Sequence, residues 1–516
     1  MDLSMDTFEK ELSEGDLHFR DNLQFGLKSD FTPSNLLKRN TYTQEFYIFV
    51  PNVLHVNPGT YSKESFYRDQ TNFIRYKTPL FTLSELAAGD NEDSPLLRLR
   101  SLRSLPLSED NEVLIKDELS LYGNIVRSAL RRRAQRLIDQ LENIQNSDDV
   151  SLLNDSITQL ESELTVLRKE YATIASDFQE FAKDSILHNY FLYVDEFVSQ
   201  SIEYYLTGFL IHLRGHKGHT LDVADSTVCD IIFREQEYRE AALKDTETTY
   251  EGDKKKEYAM YRKGLLNKFI LNALLLNVRR RNLQEKYSHL SASFAAAVAM
   301  LIYLMLFIWQ GEVFVLNSTP FVMITVLLYV LKDRLKEGIK ILYERKSFKW
   351  FPDYATDICT HDGRKVIGKL KESFSFMSVG GLSKKVRAIR DEQFHTVLES
   401  FRRPENVLYY KREVELYPQR TKRGQRRRDL NMIFRFNIHQ FLQKASNPFS
   451  THLYVDSESK EMRHEKLPKV YHLNVIMISR YTDQNTIERK ETKKFRAVVD
   501  KRGIKRVESI ESQNYP

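Results

Sequence analysis

The 516-residue chain has few cysteines and one long region without proline. Its two cysteines are Cys229 and Cys359, which predicts free thiols and excludes a fold held by a disulfide framework. No proline occurs in residues 107–319. Because one proline costs a helix interior about 3 kcal/mol, this gap predicts long helices. A net charge of +6 is modest for this length, so no nucleic-acid partner is predicted.

Charge is absent from residues 291–310, SASFAAAVAMLIYLMLFIWQ. As a helix rising about 1.5 Å per residue, these 20 residues would cross a hydrocarbon core of roughly 30 Å. A second apolar run follows at about 313–331, interrupted by the polar sequence NSTP at 317–320. The second span therefore begins either near Val313 or near Pro320, in which case it borrows length from the helix beyond. The sequence predicts a transmembrane hairpin of two helices, and a buried hairpin in a soluble core is the alternative.

Lysine and arginine are absent from the connecting residues 311–319, whereas both flanks of the hairpin are basic. By the positive-inside rule, both flanks lie in the cytoplasm and the connection lies outside. The N-terminus lacks a signal-peptide pattern, so we expect the first 290 residues to remain cytoplasmic. Trp309 and Trp350 fall where the bilayer interfaces are expected. The prediction is a two-pass integral protein of the cell membrane or an inner membrane, with both termini in the cytoplasm.

Two sets of residues near the hairpin are candidate contact sites. After the second span, the helix continues with one apolar face and one basic face, as expected beside an anionic lipid surface. A basic loop near residue 426 could bind the same headgroups, although a solvated charge run is the commoner explanation. In the first span, small residues spaced by four permit close helix approach. The candidate headgroup contacts are Lys332, Arg334, Lys336, Lys340, Arg345, Lys346, Arg426, Arg427 and Arg428, and the candidate packing face is Ser291, Ala295 and Ala299.

A heptad pattern occupies residues 153–181 of the proline-free region. Its apolar residues alternate at spacings of four and three, which is typical of a coiled-coil seam. The pattern predicts either an antiparallel pair with the preceding helix at about 112–145, or a homo-oligomer through the coiled coil. The next helix, 184–213, is apolar on most sides, which favours burial in a bundle over the membrane surface. The seam consists of Leu153, Ile157, Leu160, Leu164, Leu167, Tyr171, Ile174, Phe178 and Phe181.

Changes in sequence character predict an α+β membrane protein with four regions. Beyond Pro352, runs such as KVYHLNVIMISRYTD are rich in β-branched residues that are typical of strands. An early run at 46–56 is a candidate strand of the same sheet. The predicted regions are a mixed α/β cytoplasmic region at 1–106, a helical coiled-coil bundle at 107–286, the transmembrane hairpin with its basic amphipathic helix at 287–350, and a β-rich cytoplasmic domain at 351–516.

Two patterns that resemble functional motifs have simpler explanations. Residues 363–370, GRKVIGKL, match the phosphate-binding loop pattern until Leu370 replaces the hydroxyl that would hold Mg²⁺. Two strands around a glycine are therefore favoured. His212, His216 and His219 are close in sequence, but neighbouring glycines break the helix that a metal-binding pair would need. No cofactor, metal site or catalytic set is predicted.

The leading functional hypothesis is a membrane-tethered, non-enzymatic scaffold for cytoplasmic interaction or signalling. It rests on the heptad seam, the basic helix beside the membrane and the lack of a catalytic constellation. The alternative is a small channel or transport component that oligomerises through the hairpin, and an enzyme of another type is third. Ion-coupled transport is disfavoured because the spans carry no charge. The expected partners are the lipid bilayer and an unidentified protein.

Overall fold

A computed structural model shows a mixed α+β protein with 55% helix and 29% strand. The structure describes residues 17–34, 36–88, 93–106, 108–181, 186–216, 221–243, 253–315, 318–346, 351–360, 365–391, 405–417, 429–455, 460–482 and 487–510. These residues form two compact units, one helical and one built on β-sheets.

The division into units differs from the predicted regions. The helical unit is formed mainly by Ile74–Leu276, and the sheet unit combines Leu17–Phe73, Asn277–Lys422 and Met432–Pro516. The described part of residues 1–106 is divided between the two units, because Leu17–Phe73 belongs to the sheet unit and the segment from Ile74 onward belongs to the helical unit. Strands from the N-terminal part of the chain pair with strands beyond residue 400, so no local sequence pattern marks the boundary of the sheet unit.

The N-terminal part of the sheet unit contributes four strands and one helix. The helix begins after Ser62, whose side-chain oxygen accepts a hydrogen bond from the backbone N–H of Ser65 at 3.1 Å. The elements are β1 Leu17–Asp21, β2 Gln24–Phe31, β3 Asn40–Pro51, α1 Lys63–Asp69 and β4 Gln70–Tyr76.

The proline-free region forms long helices as predicted, but the predicted helical bundle ends before residue 286, because Asn277–Asn282 form a strand of the sheet unit. Ser108 caps the first of them by accepting a hydrogen bond from the backbone N–H of Asn111. Two short helices, α2 Leu83–Ala88 and α3 Pro95–Arg103, precede the long ones. The long helices are α4 Glu109–Glu142, α5 Ser147–Phe181, α6 Leu187–Gly215, α7 Asp222–Leu243 and α8 Asp253–Leu271.

The heptad seam is the buried face of α5. Its residues at 153–178 are at most 4% exposed, and the side chain of Phe181 lies outside the described ones. They share one apolar cluster with residues of α4, α6, α7 and α8. The ring of Tyr171 stacks on that of Tyr122 in α4, with centroids 5.1 Å apart. Of the two arrangements that the sequence left open, the structure therefore shows the seam packed within the chain.

Ion pairs join α6 to its neighbours in the bundle. Arg168 of α5 pairs with Asp195 of α6 and with Glu235 of α7. Arg262 of α8 pairs with Glu196 of α6 at 2.7 Å. Burial raises the pKa of Asp195, and the charge of Arg168 offsets only part of that rise. The acidic residues of α6 thus face partner helices, in agreement with its predicted place in the bundle.

The remaining elements complete the sheet unit. The larger sheet is antiparallel and has eight strands in the order β14-β13-β12-β3-β8-β7-β6-β5. The smaller sheet has the order β1-β2-β9-β4, and β10 pairs with β11. The elements are β5 Asn277–Asn282, α9 Gln284–Val313, α10 Thr319–Lys346, β6 Tyr354–Cys359, β7 Val366–Met377, α11 Lys384–Asp391, β8 Glu405–Leu416, β9 Leu430–Asn437, α12 His439–Leu442, β10 Phe449–Val455, β11 Met462–Pro468, β12 Tyr471–Thr482, β13 Glu488–Asp500 and β14 Gly503–Ile510.

The candidate strand at 46–56 is part of β3, in the middle of the eight-stranded sheet. Phe46 lies opposite Met477 of β12 on one side and Tyr410 of β8 on the other. On one face of β3, Phe46 packs in a core with residues of β2 and β9. On the other face, Phe49 packs in a second core with residues of α11. Burial on both faces explains why this strand is an almost continuous apolar run.

Candidate membrane interface

The apolar hairpin is an insertion between the last two strands of the eight-stranded sheet. The chain passes from β5 into α9 and, after α10, into β6. These two strands pair antiparallel, with Asn282 opposite Tyr354. One residue further on, the backbone N–H of Leu283 donates to the carbonyl of Asp353 at 3.0 Å. The chain therefore leaves the sheet and returns to it at adjacent points.

Among the described residues, one helical segment has the length and composition of a membrane span, His289–Val313 of α9. Only 17% of its 18-residue apolar window is buried. Apolar surface of this extent marks an interaction site. The large apolar side chains of α9 that are at least 44% exposed are Leu290, Phe294, Met300, Leu301, Leu304, Met305, Ile308, Trp309 and Val313.

The second predicted span, 313–331, is not shown by the structure. α10 begins only at Thr319, with Pro320 in its first turn, where the fixed φ of proline suits a helix start. From Lys332 onward α10 is charged, so its uncharged part is too short for a full span. The sequence left two possible starts for this helix, near Val313 and near Pro320, and α10 begins near the second of them. The large apolar side chains of α10 that are at least 41% exposed are Val322, Met323, Val326, Leu327, Tyr329, Val330, Leu331, Ile341 and Leu342.

The two helices of the hairpin pack against each other. Gln310 is fully buried between them, and its Nε2 donates to the carbonyl of Phe321 at 2.6 Å and to Oγ1 of Thr325 at 3.0 Å. Ala295 and Ala299 of the candidate packing face are 0% and 1% exposed, so α9 is closely covered at both positions. The third member of that face, Ser291, is half-buried.

The candidate headgroup contacts of α10 lie on the charged half of that helix. Arg334 and Lys336 are exposed, and Lys332 and Lys340 are partly exposed. Arg345 and Lys346 belong to the last turn of α10, but their side chains are not among those the structure describes. Four further predicted positions lie outside the described residues: Trp350, Arg426, Arg427 and Arg428.

Two arginines that precede the hairpin have a structural role that sequence reasoning missed. Arg280 of β5 lies 3.7 Å from a carboxylate oxygen of Glu372 and over the ring of Tyr354, 3.9 Å from its centroid. Arg281 pairs with Asp357 of β6. Both guanidinium groups therefore hold β5 to the sheet. The sequence showed them only as positive flanking charges, because their partners follow after the hairpin.

A buried polar row, which sequence reasoning also missed, crosses the same sheet. Glu372 of β7, Arg412 of β8 and Gln44 of β3 lie directly opposite one another and are at most 3% exposed. Arg412 Nε donates to Gln44 Oε1 at 2.6 Å, and its Nη1 donates to Asn72 Oδ1 at 2.9 Å. Burial lowers the pKa of Arg412. The available signal was a charged residue within the strands that carry Glu372 and Arg412, whereas Gln44 is uncharged and gave none.

Neutral side chains donate hydrogen bonds to one oxygen of the Glu372 carboxylate. Glu372 Oε1 accepts hydrogen bonds from Gln70 Nε2 at 2.9 Å, Asn72 Nδ2 at 2.7 Å and the Tyr410 hydroxyl at 2.7 Å. Burial raises the pKa of Tyr410, so its hydroxyl keeps its proton and remains a donor. A strand shifted by one residue would place these groups on the other face of the sheet, so the row favours the observed register.

The two motif-like patterns do not form a site in the part of the chain that the structure describes. Residues 366–370 of the phosphate-loop pattern lie in β7, and Gly363 and Arg364 lie outside the described residues. A Cβ at Gly368 would lie 2.5 Å from a backbone oxygen of β8, so close strand contact accounts for this glycine. The described residues contain no group of three or more metal-ligating side chains, and His219 is not among them. Cys229 and Cys359 are free thiols.

Comparison with known proteins identifies no relative. No family model, no curated protein and no solved structure matches this chain.

Proposed function

We propose that this protein is a membrane-tethered scaffold for cytoplasmic interaction or signalling, anchored by the hairpin of α9 and α10. The exposed apolar surface of the hairpin carries this proposal, since each helix presents nine large apolar side chains that are at least 41% exposed. At about 1 kcal/mol for each half-exposed side chain, their transfer into lipid would contribute on the order of 20 kcal/mol.

Pairing of β5 with β6 supports a topology in which both ends of the hairpin lie on one side of the membrane. The basic residues at 332–340 are near those ends, whereas residues 311–319 contain no lysine or arginine. By the positive-inside rule, the ends then belong to the cytoplasmic side.

The connection between the helices supports a crossing rather than a shallow insertion. Glu312 is exposed, and Phe314, Val315 and Ser318 lie outside both helices. Hydrocarbon does not accommodate lipid-exposed irregular backbone, and an exposed carboxylate there is costly. In the proposed arrangement, the connection therefore lies in the far headgroup layer.

The anchor is tested by comparing the full chain with a variant in which residues 284–352 are replaced by Asn-Gly. The hydrogen bond between Leu283 and Asp353 has the spacing that a two-residue hairpin turn needs, so β5 and β6 can remain paired. We expect the full chain to float with liposomes and resist alkaline extraction, and the variant to remain in solution as a folded protein. A full chain that stays monomeric in water without detergent or lipid would contradict the proposal.

Ion flux separates the scaffold from the channel hypothesis. Liposomes that contain the purified full chain should pass potassium and chloride no faster than protein-free liposomes. Flux that increases with the amount of inserted protein, and is absent with the hairpin-deleted variant, would favour the channel or transport component instead.

A further inference from the structure

The helices of the hairpin contact each other in one antiparallel register. Near the connection, Gln310 of α9 hydrogen-bonds Thr325 of α10. Further from it, the ammonium of Lys332 lies 5.8 Å from the ring centroid of Tyr303. Tyr303 precedes Gln310 by seven residues, and Lys332 follows Thr325 by seven, so the two contacts agree. Lys332 therefore lies level with Tyr303 along the hairpin.

This register limits the uncharged length of the hairpin. Between the connection and Lys332, α10 has 13 uncharged residues, 319–331. At a rise of about 1.5 Å per residue, they are about 20 Å long. Alongside them lie residues 303–313 of α9, which are about 16 Å long at the same rise. A typical hydrocarbon core is roughly 30 Å thick, so the hairpin is much shorter than that core.

The half of the hairpin nearer to the sheet has a different composition. There α9 contains residues 291–299, which are mainly serine and alanine, and α10 contains the charged residues 332–340. Arg334 and Lys336 are exposed on this part of the surface. Inside hydrocarbon these charges would face lipid without water, whereas in the headgroup layer they would meet anionic phosphates.

We infer that the hydrocarbon crossing is confined to residues 303–331 and that the protein fits a bilayer with a thin hydrocarbon core. Residues 291–302 and 332–346 then form a two-helix stalk in the cytoplasmic headgroup layer. This inference rests on the proposed membrane anchoring. It places the hairpin less deeply in the membrane than a span at 291–310 would, because that span would put the stalk in hydrocarbon. A thicker bilayer adapts by local thinning and by extension of lysine and arginine side chains towards the headgroups.

Cysteine labelling of the full chain in vesicles tests this depth. The protein carries Cys229→Ser and is reconstituted in phosphatidylcholine with phosphatidylglycerol, while the buried Cys359 sets the background. A single cysteine replaces either Phe294 or Met305, whose exposures of 67% and 66% are matched. A membrane-impermeant maleimide is supplied on both sides of the membrane. Labelling then reports contact with water, and any difference between the two positions comes from lipid.

We expect Phe294→Cys to react at least about tenfold faster than Met305→Cys, because the reactive thiolate forms in water and not in hydrocarbon. On α10, Leu342→Cys should likewise react faster than Val326→Cys, since these positions are matched at 59% and 58% exposure. Slow reaction at both positions of α9 would show that the crossing includes the serine and alanine segment. That result would overturn the thin crossing and leave the anchor in place. Fast reaction at both would show that the hairpin is not inserted, and would overturn the anchor itself.

Discussion

Replacing Leu160 by alanine should destabilise the helical unit and leave the sheet unit intact. Leu160 is 1% exposed and lies in the middle of the buried face of α5. It belongs to an apolar cluster that includes residues of α4, α6 and α7, so neighbouring helices would have to move to fill the space. A substitution of this kind costs about 2–5 kcal/mol, and we expect a value near 3 kcal/mol.

Hydrogen exchange measured by mass spectrometry on the full chain in detergent suits this prediction, because it reports each unit separately. A single unfolding curve would not separate the stabilities of the two units. A loss of about 3 kcal/mol should increase amide exchange in α5 by roughly 100-fold. Val166→Ala is the matched control on the same helix, since Val166 is 50% exposed, and it should change the stability by less than about 0.5 kcal/mol.

Equal effects of Leu160→Ala and Val166→Ala would refute the conclusion that the heptad seam is the core of the helical unit. A stronger form of the test replaces Leu160 and Leu164 together by aspartate. Two carboxylates in this apolar cluster would cost several kcal/mol more than the lost contacts, so the helical unit should unfold. The strands of the sheet unit should keep their protection, and their loss together with the helices would contradict the division into two units.

Three further predictions concern other parts of the molecule. Arg168→Met should cost the helical unit about 3–5 kcal/mol, measured by hydrogen exchange in α5 and α6, because it leaves Asp195 buried without its cation. Burial holds the pKa of Asp195 above its usual value, and losing Arg168 should raise it further. Protonation of Asp195 then favours the folded state, so this variant should lose stability as the pH rises through that pKa. If the variant is destabilised relative to the wild-type protein by less at high pH than at low pH, the result would contradict this reasoning. Gly368→Ala should destabilise the sheet unit by about 2 kcal/mol or more, measured by hydrogen exchange in β7 and β8, because the added Cβ would meet a backbone oxygen at 2.5 Å. Gly264→Ala is its control, since no atom lies within 4 Å, and it should be neutral or stabilising by about 0.5–1 kcal/mol. A reporter inserted at 311–318 should read external and reporters at both termini cytoplasmic, whereas protease access to an N-terminal tag from outside the cell would exclude this topology.

Features that depend on neighbours in sequence were predictable from the sequence. The absence of proline predicted long helices, because each helical hydrogen bond joins residues only four apart. The heptad spacing identified the buried face of α5 from 153 to 178, because a helix repeats its orientation every few residues. The spacing of Ala295 and Ala299 likewise placed both on one face of α9, where both are buried. The uncharged run at 291–310 identified the apolar helix by composition alone.

Features that depend on distant pairing were decided only by the tertiary structure. The sequence indicated a strand near Phe46, but its place between β8 and β12 depends on partners more than 350 residues away. The roles of Arg280 and Arg281 depend on carboxylates beyond the hairpin, and the position of Lys332 along the hairpin depends on its contact with Tyr303. Local periodicity shows which face of an element is apolar, but not which element covers that face. The register of strands and helices is determined by all the long-range contacts together. The local apolar pattern of each element is compatible with several registers until those contacts form.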